Sequence, residues 1–171
     1  WSASITDQVH RLARLNADGT ARSTTKIASS LNGGPVPGTG DAFGVVASLG
    51  DLDGDGVTDI AVGAASANAG GTDRGVVHIL RLKADGTVKN FTTIANPGNG
   101  TLPATDKDSF GQAIATLGDL DGDGVVEIAV TAYIHDTNGD RPGVIHVLRL
   151  NADGTVKGNS RIASGISCGP T

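Results

Sequence analysis

The chain has 171 residues, enough for one domain of ordinary size with a buried core. Aromatic residues make up 3%, methionine is absent and glycine occurs 26 times, so the core must be built from Val, Ile, Leu and Ala in short, turn-rich elements that suit sheets better than helical bundles. The net charge of −5 argues against a nucleic-acid partner, and no apolar run reaches the length of a membrane span.

An internal repeat organises the chain, and its first copy is incomplete. The segment VHRLARLNADGTARSTTKIA at 9–28 returns at 76–95 and again at 144–163, with offsets of 67 and 68 residues. In each copy a run of apolar and β-branched residues leads into an Asp-Gly turn, which predicts a β-hairpin. The opening segment is therefore interpreted as the second half of a unit whose first half is missing.

Two complete units follow this partial one. Residues 41–64 match residues 108–132 with one inserted residue, and each of these segments leads into a copy of the hairpin. No window of helical length has a 3.6-residue periodicity, so about four short strands per unit and little or no helix are predicted. The predicted organisation is one structural domain with a partial repeat, two full repeats and a C-terminal tail, at 1–30, 31–95, 96–165 and 166–171.

Each full unit carries an acidic loop, GDLDGDGVTDIAV from Gly50 and GDLDGDGVVEIAV from Gly118. Acids at loop positions 1, 3, 5 and 9, a glycine at position 6 and a backbone carbonyl at position 7 are typical of a calcium loop. The predicted ligands are Asp51, Asp53, Asp55, Val57, Asp59, Asp119, Asp121, Asp123, Val125 and Glu127. The oxygen-only set, without histidine or cysteine, favours calcium over zinc, and the number of protein ligands favours it over magnesium.

The loops differ from an EF-hand, which requires a glutamate at position 12 and flanking helices, because position 12 is Val62 in one loop and Val130 in the other. A solvated acidic turn that binds nothing is the alternative. Two carboxylates about 4 Å apart repel by roughly 4 kcal/mol at an effective dielectric near 20, so such a turn would be strained. About two Ca²⁺ per chain are therefore predicted, on a strand-loop-strand frame.

The combined pattern resembles the FG-GAP repeat, the blade of integrin-α-type β-propellers. It consists of Phe-Gly at 43–44 and 110–111, the acidic loops, and Val-Gly-Ala at 62–64. Both units depart from the Gly-Ala-Pro element of the family, with Gly-Ala-Ala at 63–65 in the first and Thr-Ala-Tyr at 131–133 in the second. The resemblance covers residues 41–165. It implies an all-β fold of antiparallel four-stranded blades, calcium held in the hairpin loop by the residues named above, and an extracellular setting.

Repeat number suggests a function. A propeller needs at least four blades and an open stack generally three or more units, so two and a half units leave strand edges and apolar faces uncovered. The chain is predicted to be an exported structural protein whose copies complete one another in a homo-oligomeric ring or a filament. Two calcium ions would bring the net charge from −5 to about −1, which favours association.

Other functions remain open. The main alternative is an adhesion module from a longer integrin-like propeller that binds an extracellular protein or glycan. A third possibility is an accessory domain of a hydrolase with its catalytic residues elsewhere. The chain itself lacks a recognisable catalytic motif and is predicted not to be an enzyme. It begins at Trp1 without a signal-peptide pattern, so either a targeting peptide has been removed or the chain is a fragment.

Three histidines, His10, His78 and His146, occupy matched positions 68 residues apart. They suggest a row of imidazoles that senses pH or binds metal. A strand position repeated by internal duplication is the favoured interpretation.

Two further features lack a repeat partner. The oxygens of Asp136, Asn138 and Asp140 suggest a third cation loop, although a plain surface loop is favoured because the matching loop in the other unit lacks them. The one cysteine, Cys168, excludes an internal disulfide, and it either links chains or has no role.

Overall fold

The computed structural model describes residues 10–27, 32–95, 106–133 and 143–163. All regular structure in these ranges is β-strand. No helix in this part of the chain is long and apolar enough to cross a membrane. The strands are β1 (His10–Leu15), β2 (Ala21–Ile27), β3 (Phe43–Gly50), β4 (Asp59–Ala64), β5 (Val76–Leu82), β6 (Val88–Ala95), β7 (Ile114–Gly118), β8 (Glu127–Tyr133), β9 (Gly143–Leu150) and β10 (Val156–Ala163).

The strands form a hairpin and two four-stranded sheets. Strands β1 and β2 pair with each other, the first sheet has the order β3-β4-β5-β6, and the second has the order β10-β9-β8-β7. Every neighbouring pair is antiparallel. The prediction of an all-β fold built from antiparallel four-stranded repeats is thus confirmed. The four domain boundaries stay a prediction.

The Asp-Gly segments form the connections expected of them. Between β5 and β6 the chain turns over five residues, with Gly86 at φ +83° and the Lys83 N–H donating to the Thr87 carbonyl at 2.8 Å. Asp85 Oδ1 accepts hydrogen bonds from the Thr87 N–H at 2.8 Å and from its hydroxyl at 2.7 Å. The same aspartate-threonine contacts recur in the other two hairpins. Each hairpin turn is therefore fixed by its own local sequence.

The sheets share a core. Strand β4 is buried along its whole length, so both of its faces are covered. One apolar cluster joins residues of the first sheet to residues of the second; it includes Leu49, Val77, Ile79, Ile94, Phe110, Ile128, Leu148 and Leu150. A second cluster joins β2 to the opposite face of the first sheet; it includes Ile27, Phe43, Val62, Leu80 and Leu82. The hairpin and the two sheets therefore pack in chain order.

The two sheets approach most closely at a glycine. A Cβ at Gly63 would lie 2.1 Å from the carbonyl oxygen of Gly111, much nearer than any real contact. Gly75 and Phe110 form an isolated parallel bridge across the same junction. Glycine at position 63 is therefore required for the first sheet to pack against the Phe-Gly segment of the second.

Candidate metal centre

The acidic loops connect the first two strands of each sheet, β3 to β4 and β7 to β8. Gly54 and Gly56 adopt φ of +77° and +82°, a conformation that lets the first loop curl over a few residues. Asp51 accepts hydrogen bonds from the N–H of Asp55 at 2.9 Å and of Gly56 at 2.8 Å, so the first acid closes the loop. Asp119 does the same in the second loop.

Three of the four acids in each loop converge on one point. Carboxylate oxygens of Asp51, Asp53 and Asp59 lie within 4.8 Å of one another. In the second loop the same holds for Asp119, Asp121 and Glu127. The acids at positions 1, 3 and 9 are thus brought together by the fold, as a shared cation would require.

The acid at position 9 is fully buried in both loops but is bonded differently. Asp59 accepts a hydrogen bond on each oxygen, from the N–H of Leu52 at 3.0 Å and of Leu82 at 2.9 Å. Burial raises the pKa of Asp59, and these two hydrogen bonds oppose that rise. Glu127 accepts one hydrogen bond, from the Leu120 N–H at 2.5 Å. Asp59 therefore links its loop to β5, whereas the hydrogen bond of Glu127 stays within its own loop.

The acid at position 5 faces a lysine, which the sequence analysis missed. The Lys89 ammonium lies 2.8 Å from Asp55 Oδ2 and 2.9 Å from Asp53 Oδ2. These hydrogen bonds raise the pKa of Lys89 and hold that of Asp55 below its usual value. The first loop therefore has a positive charge from β6 beside its acids, which reduces the repulsion expected among crowded carboxylates.

The second loop repeats this arrangement. Lys157 Nζ lies 2.9 Å from Asp121 Oδ2 and also contacts Asp123. The hydrogen bond from Lys157 lowers the pKa of Asp123, and the pKa of Lys157 is raised in turn. The signal in the sequence is the motif Asp-Gly-Thr-Val-Lys, which ends on the lysine in both full units.

The valines at position 7 are held by the acids at position 5. The Val57 N–H donates to Asp55 Oδ1 at 3.0 Å, and the Val125 N–H donates to Asp123 Oδ1 at 2.9 Å. Both valine side chains pack against the edge of a core cluster. Their role as carbonyl ligands, like the ligand assignment as a whole, stays a prediction.

Each loop fits a hard cation on its own chemistry. Among the described residues, Asp53 Oδ1 in the first loop and Glu127 Oε1 in the second are buried carboxylate oxygens without a hydrogen-bond partner. A buried carboxylate oxygen is costly to leave unpaired, and a cation bound among the converging oxygens would satisfy it. With oxygen as the only ligand type, calcium matches these loops better than a soft metal does.

The matched histidines pack inside their own sheets. The His78 ring lies 5.7 Å from the Phe43 ring and 6.1 Å from the Phe91 ring, and its Nδ1 is 3.0 Å from Thr93 Oγ1. The His146 ring lies 5.5 Å from the Phe110 ring. These contacts favour a repeated core position over a metal row for the second and third histidines.

Several predicted features fall outside the described residues. They are Asp136, Asn138 and Asp140 of the suggested third loop, Cys168, and the side chain of His10. The alternatives stated for them stay open.

Comparison with known families agrees with the geometry. Residues 43–80 and 110–148 match the model of the FG-GAP repeat family. Each match begins at the Phe-Gly pair, includes the acidic loop and ends within the third strand of its sheet. The resemblance stated from the sequence is thereby confirmed.

Proposed function

The chain contains two FG-GAP repeats, and from this premise we propose that it is a calcium-stabilised structural repeat protein, exported from the cell, that assembles with copies of itself. The observation that carries the proposal is an apolar patch on the second sheet. This outer patch consists of Leu117, Leu120, Ile145 and Ile162, all of them exposed.

The equivalents of the outer patch in the first unit are buried. They are Leu49, Leu52, Val77 and Ile94, and all four belong to the cluster that joins the two sheets. Leu120 is 61% exposed and its equivalent Leu52 is 6% exposed, while the values are 55% for Ile162 and 6% for Ile94. Large apolar side chains exposed on one side of a protein are typical of an interaction site.

A repeated contact indicates how a second copy would bind. The Thr25 hydroxyl donates to the Asp85 carbonyl at 3.0 Å, and the Thr92 hydroxyl donates to the Asp153 carbonyl at 2.8 Å. Each outer strand thus receives the hairpin turn of the next unit. The next hydroxyl in the series is that of Ser160, which is exposed on β10.

The turn of the β1-β2 hairpin, at the opposite end of this series, makes no such docking contact with the described residues. Gly86 and Gly154 are buried in the turns that dock in this way, whereas the equivalent Gly19 is exposed, with no atom of the described ranges within 4 Å of the position of a Cβ. The turn at Gly19 in one copy therefore matches the hydroxyl of Ser160 in another. Contacts of this head-to-tail kind produce rings or filaments.

One difference between the two sheets favours the β1-β2 hairpin of a second copy, rather than a complete unit, as the element that docks on the second sheet. The first sheet accepts the Phe-Gly segment of the second only because residue 63 is glycine, and the equivalent residue in the second sheet is Thr131. A complete unit that docked on the second sheet in the same geometry would meet the side chain of Thr131. The β1-β2 hairpin has no Phe-Gly segment and avoids this clash.

Calcium would act on this assembly through the loops. A divalent cation bound by each acidic cluster neutralises part of its charge and fixes the loop, so that binding energy adds to folding energy. An extracellular or cell-surface location would provide that cation. The clustered carboxylates are then used for binding, in keeping with the prediction that the chain is not an enzyme.

The molar mass measured by light scattering, with calcium and with a chelator, tests the proposal. In calcium the protein is expected at a multiple of the monomer mass, and Ile162→Asp is expected to give a monomer because a charge cannot be buried in the interface. Val36→Asp is the control, since Val36 is an exposed apolar residue outside the outer patch. It should leave the mass unchanged.

Two results would overturn parts of the proposal. A wild-type monomer in calcium would reject self-assembly and favour the adhesion module of a longer propeller, whose ligand would be an extracellular protein or glycan. A melting temperature that does not change on chelation would reject the stabilising role of calcium.

A further inference from the structure

We infer that Lys89 and Lys157 are built-in counter-ions that hold the loops folded without metal, and that calcium competes with them for the carboxylates when it binds. The inference rests on the proposed calcium binding and names the residues that regulate it. It predicts that calcium exchanges with a lysine ammonium group in each loop, rather than entering a site whose oxygens are all unpaired.

The contacts in the first loop support an exchange. Lys89 bridges Asp53, which belongs to the converging cluster, and Asp55, which directs its other oxygen to the Val57 N–H. The ammonium therefore occupies a carboxylate oxygen of two predicted ligands. An ion that uses those oxygens competes directly with the ammonium group.

The repetition argues against an accidental surface contact. Lys89 lies 36 residues from Asp53 and 34 from Asp55, on β6 rather than in the loop. Lys157 on β10 makes the equivalent pair of contacts with the second loop. Two loops that reach the same arrangement through the same strand position indicate a property of the repeat unit.

The unpartnered oxygens show what the lysines leave unsatisfied. Asp53 Oδ1 and Glu127 Oε1 are buried and have no hydrogen-bond partner among the described residues, although a lysine is bound in each loop. A single ammonium charge with three donors does not reach the whole cluster. A divalent ion with six to eight oxygen ligands does, so calcium can replace the lysine even though it must compete with it.

The experiment replaces each lysine with methionine, which keeps an unbranched stem of similar length and removes the charge. Calcium titration by calorimetry is expected to show affinity for the affected loop rising about tenfold, equivalent to about 1.4 kcal/mol. In chelator the same variants should melt at a lower temperature, because the loop has lost its counter-ion. Lys83→Met is the matched control for net charge, since Lys83 lies in the same hairpin and is exposed.

Melting temperatures measured in calcium and in chelator separate a counter-ion that competes with calcium from a lysine with a purely structural role. A lysine that only stabilises the hairpin would lower the melting temperature equally in calcium and in chelator, and such a result would overturn the inference. Lys89→Arg keeps the charge and should retain both the metal-free stability and the wild-type calcium affinity. It provides a readout if Lys89→Met does not fold without calcium.

Failure of the inference and failure of the proposed function are distinguishable. Wild-type protein that binds no calcium rejects the proposed calcium binding itself. Wild-type protein that binds calcium, together with Lys89→Met and Lys157→Met variants whose affinity equals that of Lys83→Met, rejects only the exchange.

Discussion

The two FG-GAP units have closely similar sequences but place their equivalent side chains in different surroundings. Ile94 is buried between the sheets and its equivalent Ile162 is exposed. Asp59 has both oxygens bonded to backbone N–H groups, and the equivalent Glu127 has one oxygen without a partner among the residues that the structure describes. The repeated sequence therefore specifies the four-stranded sheet. The units packed on either side of that sheet decide how much a given residue contributes to stability.

The largest expected difference between the units is at the equivalent isoleucines. Ile94→Ala should lower the free energy of unfolding by about 3 kcal/mol, because it leaves a cavity in the shared core. Ile162→Ala should change it by less than about 0.5 kcal/mol in dilute protein with chelator. Urea unfolding followed by circular dichroism measures both values. Equal losses would mean that Ile162 is covered within its own chain.

The second expected effect concerns pH and His78, and both units share its direction. Burial lowers the pKa of His78 from 6.5 to about 4, against the attraction of the Asp41 carboxylate. The unfolded chain binds the proton more readily, so stability is full above pH 6.5 and is lost as the pH falls from 6.5 to 4. The loss is about 3 kcal/mol at most. Burial lowers the pKa of His146 as well, so the second unit should respond in the same direction.

His78→Gln provides the test because glutamine does not titrate. The difference in unfolding free energy between wild type and this variant, measured with chelator at several pH values, should shift against the wild type as the pH falls. The carboxylates common to both proteins cancel in that difference. Parallel stability curves for the two proteins would contradict the prediction.

The smallest expected difference is at position 9 of the loops. In chelator, Asp59→Asn should cost about 2 kcal/mol, because the amide nitrogen cannot accept the hydrogen bond of Leu52 or Leu82 and leaves a buried N–H unpaired. Glu127→Gln should cost little, since Glu127 Oε1 has no hydrogen-bond partner to lose in the described part of the chain. In calcium both variants should lose most of the metal-induced rise in melting temperature. A costly Glu127→Gln in chelator would show that this oxygen is bonded.

Local patterns explain why much of the fold was predictable. Short apolar runs separated by Asp-Gly segments become hairpins because Asp85 and Thr87 close the turn by themselves. The acids at positions 1, 3 and 9 converge because the loop is only nine residues long and carries glycines at positions that need positive φ. These are short-range effects, and a sequence shows them directly.

Contacts between distant residues were not predictable in the same way. Lys89 approaches Asp53 only because β6 returns to the edge of the loop after two intervening strands, and its contact is 36 residues away in sequence. The second oxygen of Asp59 is bonded by Leu82 of β5, which lies 23 residues further along the chain. Neither partner carries a signal in the loop sequence itself.

The sequence by itself determined the repeat, the strands and the two acidic loops, because hydrophobic pattern, turn chemistry and ligand spacing act over a few residues. Only the tertiary structure decided which equivalent side chains are buried and which cation each loop already contains. Burial depends on the neighbouring sheet, and the charge within a loop depends on a lysine that a different strand brings to it. The same face of the repeat is therefore covered in one unit and exposed in the other.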